Sequence, residues 1–217
     1  MIKPPAAWSG AGSLVIANLA TIVMAVAFDW PAGVLLWPYW LQSLVIGWYN
    51  RKRLLALQEF STANLTMNDK PVAATPATQR QVAQFFVLHY GGFHLAYLFV
   101  LLPTARMLSA WDFLGIAVAA GTFLANHRHS YRANIAADAR GKPNIATLMF
   151  LPYLRVLPMH LIIIVGGKAL GTTDSSGLIV LFGLLKTCAD VAMHFASHHL
   201  LRRHDVRLQP VRQDQVR

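Results

Sequence analysis

The chain has 217 residues, of which 55% are hydrophobic and 13% are charged, and its formal net charge is +10. Soluble domains carry about 25% charged residues, so this composition excludes an ordinary soluble domain and predicts an integral membrane protein. The basic residues lie at the ends of apolar segments, as membrane topology signals do, so no nucleic-acid partner is expected. The single cysteine, Cys188, excludes an intramolecular disulfide and a cysteine-rich metal site.

Apolar runs of about 20 residues, the length that crosses a bilayer, recur along the chain. Six predicted spans cover residues 10–28, 32–50, 82–103, 111–131, 145–165 and 177–200. The sequence therefore predicts an all-α integral membrane protein, with a six-helix transmembrane domain at residues 1–201 and a polar, basic cytoplasmic tail at residues 202–217. The first run exceeds the apolar core of a typical signal peptide, so we expect a retained helix. The longest connection, residues 51–81, is expected to end as a flexible linker.

The distribution of positive charge predicts the orientation of the six spans. With a cytoplasmic N-terminus, 15 of the 19 lysines and arginines lie on the inner side, whereas Arg106 and Lys168 lie on the outer side. The remaining two, Arg155 and Lys186, fall within spans. This asymmetry follows the positive-inside rule, so both termini are expected to be cytoplasmic.

The first two spans carry few polar residues. Asn18 is the single buried polar candidate in the first span. The second span has Trp and Tyr near both ends, which is typical of an aromatic belt at the two membrane interfaces. Its Gln42 and Ser43 are placed to reach inward to a site.

Histidines enter the pattern in the third and fourth spans. His89 and His94 are five residues apart, which puts them about 140° apart around a regular helix, so they are expected to face different neighbours. The fourth span ends in "NHRHSY", which places His127 and His129 near the inner surface. His129 fits an interfacial basic cluster, whereas His127 is a candidate for a site.

The fifth span combines a cation with backbone breaks. Pro152 and Pro158 interrupt the helical hydrogen bonds, and such breaks at membrane depth occur where the backbone lines a cavity or packs on neighbours. Arg155 lies between them and cannot lose its charge, so it needs an anion. Asp190 is the acidic residue that the predicted spans place at the same depth, which predicts an Arg155–Asp190 pair.

The sixth span carries a polar stripe at every fourth position: Lys186, Asp190, His194 and His198. Residues at this spacing share one slowly drifting helix face. A charge at the bilayer centre costs about 2.5–3.5 kcal/mol on insertion scales, so the stripe must face protein or a water-filled cavity. One interpretation is an intrahelical Lys186–Asp190 pair with histidines near the inner interface. The other is a functional site, in which His89 lies beside His194 at equal depth.

Five blocks of the chain together resemble a bacterial membrane-protein family known only as a domain of unknown function. The blocks are "YWLQSLVIGWYN", "FFVLHYGGFHLAYLF", "HRHSY", "PYLRVLPMHL" and "LLKTCADVAMH". They fall in spans two to six, so the resemblance extends over most of the chain. The resemblance implies a multi-pass protein of the bacterial inner membrane, and it implies no activity. The family commonly has Glu and Asn where this chain has Gln42 and Ser43.

The first functional hypothesis is a transition-metal site that spans three to six enclose in the inner half of the bilayer. Imidazole and carboxylate ligands suit Zn, Fe, Cu or Mn. The preferred ligands are His89, Asp190 and His194, with His127 and His198 as additional candidates. Residues expected to orient the ligands or to form ion pairs are Arg155, Lys186, His94 and His160. An open coordination position permits catalysis and a closed ligand set is structural, so the sequence leaves open whether the protein is an enzyme.

Two other functions fit the same residues. Intramembrane Lys, Asp and His can form a relay, which predicts a proton- or ion-coupled transporter that uses the stripe. Histidines on different helices also allow a b-type haem with two histidine ligands. A homodimer would supply the symmetry that many transporters have and that this sequence lacks. The G-x-S-x-G and H-E-x-x-H signatures are absent, which disfavours a serine or zincin-type protease.

Overall fold

A computed structural model describes residues 6–166 and 176–207, and it describes the side-chain surroundings of residue 12 and of residues 15–164 and 176–193. In chain order the elements are α1 (Ala6–Ala27), α2 (Gly33–Ala56), β1 (Thr66–Met67), β2 (Lys70–Pro71), α3 (Pro76–Leu101), a 3₁₀-helix (Leu102–Met107), α4 (Ala110–Asp138), α5 (Ile145–Phe150), α6 (Tyr153–Gly166) and α7 (Ser176–Arg207). The predicted all-α class is confirmed.

Three helical segments are long and apolar enough to cross a membrane: Pro76–Met107, Ile145–Ile164 and Ser176–Met193. They coincide with the third, fifth and sixth predicted spans, and they indicate a multi-pass membrane protein. The apolar part of α1 in the described chain, Val15–Ala27, is shorter. The second and fourth predicted spans are helical as α2 and α4, but polar and interfacial aromatic residues lower their hydropathy.

Local signals in the sequence account for several helix boundaries. The Thr75 side chain accepts a hydrogen bond from the Thr78 backbone N–H and so caps α3, which has a proline in its first turn. Ser109 and Asp112 form a reciprocal capping box at the start of α4. The break predicted at Pro152 is confirmed, because the chain leaves the helix between α5 and α6 where this proline removes a backbone donor. At Pro158 no break occurs, since this residue lies inside α6.

The connection after α2 is more ordered than the predicted flexible linker. It contains the β1–β2 hairpin, in which Thr66 pairs with Pro71 and Met67 with Lys70. The Ser61 backbone also pairs with the chain just before α5, through the Ile145 N–H to the Ser61 carbonyl at 3.0 Å. These backbone hydrogen bonds tie the connection to the start of α5, and composition alone does not reveal such pairing.

α2 lies at the centre of the bundle, where it packs against α3, α4 and α6, while α1 packs along α7. Gly47, which has no side chain, lets α2 and α3 approach each other closely. A Cβ added at Gly47 on α2 would lie 2.6 Å from Cε1 of the Tyr90 ring on α3. The ring is held in place because its hydroxyl donates to the Ser43 carbonyl at 2.9 Å. Gly47 is therefore required by the α2–α3 contact.

Gly47→Ala is expected to lower the free energy of unfolding by about 1–3 kcal/mol, because the added methyl group overlaps an anchored ring. The matched control is Gly121→Ala on α4, where nothing lies within 4 Å of the added Cβ. That change should be neutral or stabilising by up to about 1 kcal/mol, since alanine favours helix more than glycine does. Both variants are compared by unfolding in the same detergent. Equal stability of the two would contradict the close α2–α3 contact.

Candidate functional site

An ion pair connects two turns of α7 inside its apolar segment. The Lys186 Nζ lies 2.6 Å from the Asp190 Oδ2. Asn18 on α1 completes the group, because its Nδ2 donates to the Asp190 Oδ2 at 3.2 Å and its Oδ1 accepts from the Lys186 Nζ at 3.1 Å. One amide therefore satisfies both charges, as buried charges require. We call Asn18, Lys186 and Asp190 the polar triad.

The packing of α1 on α7 brings the triad together. Gly183 lies one turn before Thr187 on α7, and a Cβ at Gly183 would overlap the Ile22 side chain of α1. The absence of a side chain at this position lets the two helices approach closely, which places Asn18 within hydrogen-bond reach of α7. The exposed fractions of the Lys186 and Asp190 side chains are 27% and 14%, so the pair is only partly shielded.

A cavity of about 170 Å³ borders the triad. The polar residues that line it belong to α1, α2 and α7, and so do most of the apolar ones. The lining residues are Asn18, Thr21, Ile22, Val34, Leu35, Pro38, Tyr39, Gln42, Phe123, Phe182, Gly183 and Lys186. The second span therefore does reach inward through Gln42, whereas Ser43 uses its hydroxyl to bond the Tyr39 carbonyl at 2.9 Å.

Tyr39 connects the triad to the fifth predicted span. Its hydroxyl donates to the backbone carbonyl of Arg155 on α6. The Lys186 Nζ lies 6.0 Å from the centre of its ring, and the ring meets Phe182 edge-on at a centroid distance of 5.1 Å. Tyr39 on α2 therefore contacts both α6, at the Arg155 backbone, and α7, at Phe182.

The predicted pairing of Arg155 with Asp190 is not found. Asp190 instead pairs with Lys186, four residues earlier on the same helix, because this spacing puts the two side chains on one face. This matches the intrahelical interpretation of the stripe. Among the described residues the other ion pair is Arg53 with Asp138, whose atoms lie 2.6 Å apart where α2 meets the end of α4.

The histidines of the third and fifth predicted spans form hydrogen bonds to tyrosines. His89 Nδ1 lies 2.9 Å from the Tyr153 hydroxyl, and His160 Nδ1 lies 2.9 Å from the Tyr97 hydroxyl. His94 is almost fully buried, and its Nδ1 lies 2.8 Å from the Tyr90 carbonyl. The expectation that His89 and His94 face different neighbours is therefore met, and both histidines of the α3–α6 contact have tyrosine partners.

The described residues do not bring the predicted metal ligands together. Within residues whose side chains are described, no three His, Cys, Asp or Glu residues form a group that can hold a metal ion. His89 lies at the α3–α6 contact and Asp190 at the α1–α7 contact, while His127 is half-buried on α4. His194 and His198 belong to α7, but their side chains lie outside the described residues.

Sequence reasoning identified Lys186 and Asp190 but assigned Asn18 no role. The available signal was that Asn18 is the one amide side chain in the first predicted span. An amide can satisfy an ammonium and a carboxylate at once, since it carries both a donor and an acceptor. Asn18 could be paired with Lys186 and Asp190 only with the knowledge that α1 packs on α7. The periodicity of a single helix does not show which helices are neighbours.

The triad predicts a specific pattern of stability. Lys186→Met should lower the free energy of unfolding by about 2–3 kcal/mol, because it leaves the Asp190 charge without its cation and the pair is only partly exposed. The double variant Lys186→Met, Asp190→Leu should recover most of that loss, since neither charge then remains. Unfolding of both proteins in one detergent measures the difference. A double variant as unstable as the single one would contradict a coupled pair.

The comparisons with known proteins identify a family and no activity. No curated protein matches the chain, and no solved structure matches it. A family model described as "Family of unknown function (DUF6498)" matches residues 3–206. That match covers all the helices described above, and it confirms the resemblance to a family known only as a domain of unknown function. The chain belongs to the DUF6498 family.

Proposed function

We propose that this protein is a proton- or ion-coupled transporter of the bacterial inner membrane, and that the polar triad is its coupling site. The observation that supports the proposal best is the Lys186–Asp190 pair inside an apolar α7 segment, next to a cavity. Ionisable residues within a membrane segment are costly, and their usual role is to carry protons or ions. A purely structural pair has no need of an adjoining cavity.

The chemistry of the triad suits coupling. When Asp190 is ionised, it holds Lys186 and accepts from Asn18. A proton that binds to Asp190 neutralises the carboxylate, so the ion pair opens and Lys186 becomes free to hold another anion. Loss of that proton restores the pair. Asp190 thus has two states that differ by one proton and by the partner of Lys186, which is the minimum that a coupled carrier requires.

The proposed topology is six spans with both termini in the cytoplasm. α3, the α5–α6 segment and α7 have the necessary length and apolar character. α1, α2 and α4 complete the set, because α2 and α4 pack side by side and α1 packs along α7 in the same bundle. The excess of Lys and Arg on one side of this arrangement supports the cytoplasmic placement of the termini.

Proton flux in liposomes tests the proposal. Purified protein is reconstituted with a pH-sensitive dye inside the vesicles, a mixture of small organic anions is added outside, and flux is started by a pH gradient together with a membrane potential. Asp190→Asn should abolish protein-dependent flux, because the amide cannot take up the proton. The matched control is Glu59→Gln, which neutralises an exposed carboxylate in the connection after α2 and should leave flux unchanged. Wild-type vesicles that match empty vesicles would refute the proposal, and so would full flux in Asp190→Asn.

The metal and haem hypotheses remain predictions with their own test. Purified protein is analysed for Zn, Fe, Cu and Mn, and its optical spectrum is recorded for a haem band. A metal site at His89, Asp190 and His194 predicts stoichiometric metal that is lost in His194→Ala and in Asp190→Ala. Unchanged metal content in both variants would rule out these ligands, and the absence of both metal and a haem band would rule out both hypotheses. The homodimer likewise remains a prediction.

A further inference from the structure

We propose that the cavity beside the triad binds a small monocarboxylate, with its carboxylate on Lys186 and its short apolar chain between α1, α2 and α7. The binding site rests on the cavity alone, whereas its coupling to protons rests on the proposed function. Three features carry the inference: the polar groups of the lining, the size and apolar character of the remainder, and the balance of charge.

The polar groups that line the cavity suit an anion. Lys186 supplies a cation with three N–H groups, two of which bond to Asp190 and Asn18, so that one remains. The Asn18 and Gln42 amides add N–H donors to the same lining. Among the described residues, the lining includes no Asp or Glu, and Asp190 is not part of it. Charge-assisted hydrogen bonds from such donors are the strong contacts that a carboxylate makes.

The rest of the lining suits a short hydrocarbon chain. Ile22, Leu35 and Phe182 contribute apolar surface to the same lining. The cavity has a volume of about 170 Å³, which is room for a few water molecules or for one small organic anion. A monocarboxylate of about four carbons fits that space, and a larger dicarboxylate would put a second charge against the aliphatic wall. Recognition through a few polar groups in a mostly apolar pocket is the common pattern for small ligands.

Charge balance couples the anion to a proton. The resting site holds one ammonium and one carboxylate, so its net charge is zero. A monocarboxylate alone would make the site negative, and an uncompensated charge is unfavourable in a medium of low dielectric constant. If Asp190 takes up one proton, the O–H bond forms, Lys186 releases Asp190, and the bound anion restores a net charge of zero. The anion and the proton are therefore expected to bind together.

The charged and titratable groups around Asp190 favour this exchange. Its own helix contributes Lys186, α1 contributes the uncharged Asn18, and α2 contributes Tyr39, whose ring centre lies 6.0 Å from the Lys186 Nζ. The Tyr39 hydroxyl donates to the Arg155 backbone carbonyl. The described lining of the cavity contains one cation, Lys186, and the Asn18 and Gln42 amides, so it suits an anion better than a second cation.

Butyrate is the test ligand, and binding to the full-length protein in detergent is measured by titration calorimetry. In weakly buffered solution the same titration reports proton uptake. Wild-type protein should bind butyrate with uptake of about one proton per anion, and it should bind neither butylammonium nor chloride with comparable affinity. Gln42→Glu should weaken butyrate binding at least about tenfold, because it puts a carboxylate on the cavity wall without a change in shape. The matched control is Gln81→Glu on the exposed inner end of α3, which should bind as the wild type does.

Lys186→Met should abolish butyrate binding. If this variant also unfolds, Gln42→Glu still tests the site, because it changes the charge of the cavity wall and leaves the ion pair intact. Equal butyrate affinity in the wild type and in Gln42→Glu would overturn the inference, and so would tighter binding of butylammonium or of chloride. If butyrate does not bind while liposomes carry wild-type proton flux, the substrate class is wrong and the proposed transport stands. If butyrate binds with proton uptake while flux is absent, the binding site stands and the transport proposal is wrong.

Discussion

The Lys186–Asp190 ion pair is the interaction on which this structure depends most. Two opposite charges in an apolar segment are tolerated only when they neutralise each other and their remaining hydrogen-bonding capacity is used. The four-residue spacing on α7 provides the neutralisation, and Asn18 provides the additional hydrogen bonds. This requirement ties α1 to α7, since a first helix placed elsewhere in the bundle would leave both charges poorly satisfied.

The second constraint is the central position of α2. Gly47 lets α3 approach on one side, and Tyr39 reaches α6 and α7 on the other. The same helix then presents Gln42 to the cavity. Packing at Gly47 and the anchored Tyr39 hold the cavity wall in position. In the proposed function, the Lys186–Asp190 pair is the part that changes state, and the proposal combines this pair with a fixed wall.

The helical repeat predicted that Lys186 and Asp190 share a face of α7, and their ion pair confirms it, whereas the predicted Arg155 partner of Asp190 is wrong. Depth in the membrane can be estimated by counting residues, and it placed Arg155 level with Asp190. Depth does not report the direction in which a side chain points around the bundle, so two residues at one level can face different neighbours. His89 illustrates the same limit, because its described partner is Tyr153 on α6. Proline and capping signals act locally, and for that reason the break at Pro152 and the start of α4 were predictable.

The sequence by itself determined the apolar composition that indicates a membrane protein, the three long apolar helices, the clustering of Lys and Arg at the ends of apolar segments and the face of α7 that carries Lys186 and Asp190. Each of these depends on composition or on the helical repeat, which are properties of one segment at a time. Only the tertiary structure decided that α1 packs on α7, that Asn18 completes the triad and that a cavity opens beside Lys186. Those features depend on which helices become neighbours, and side-chain shape at residues such as Gly183 and Ile22 sets that choice.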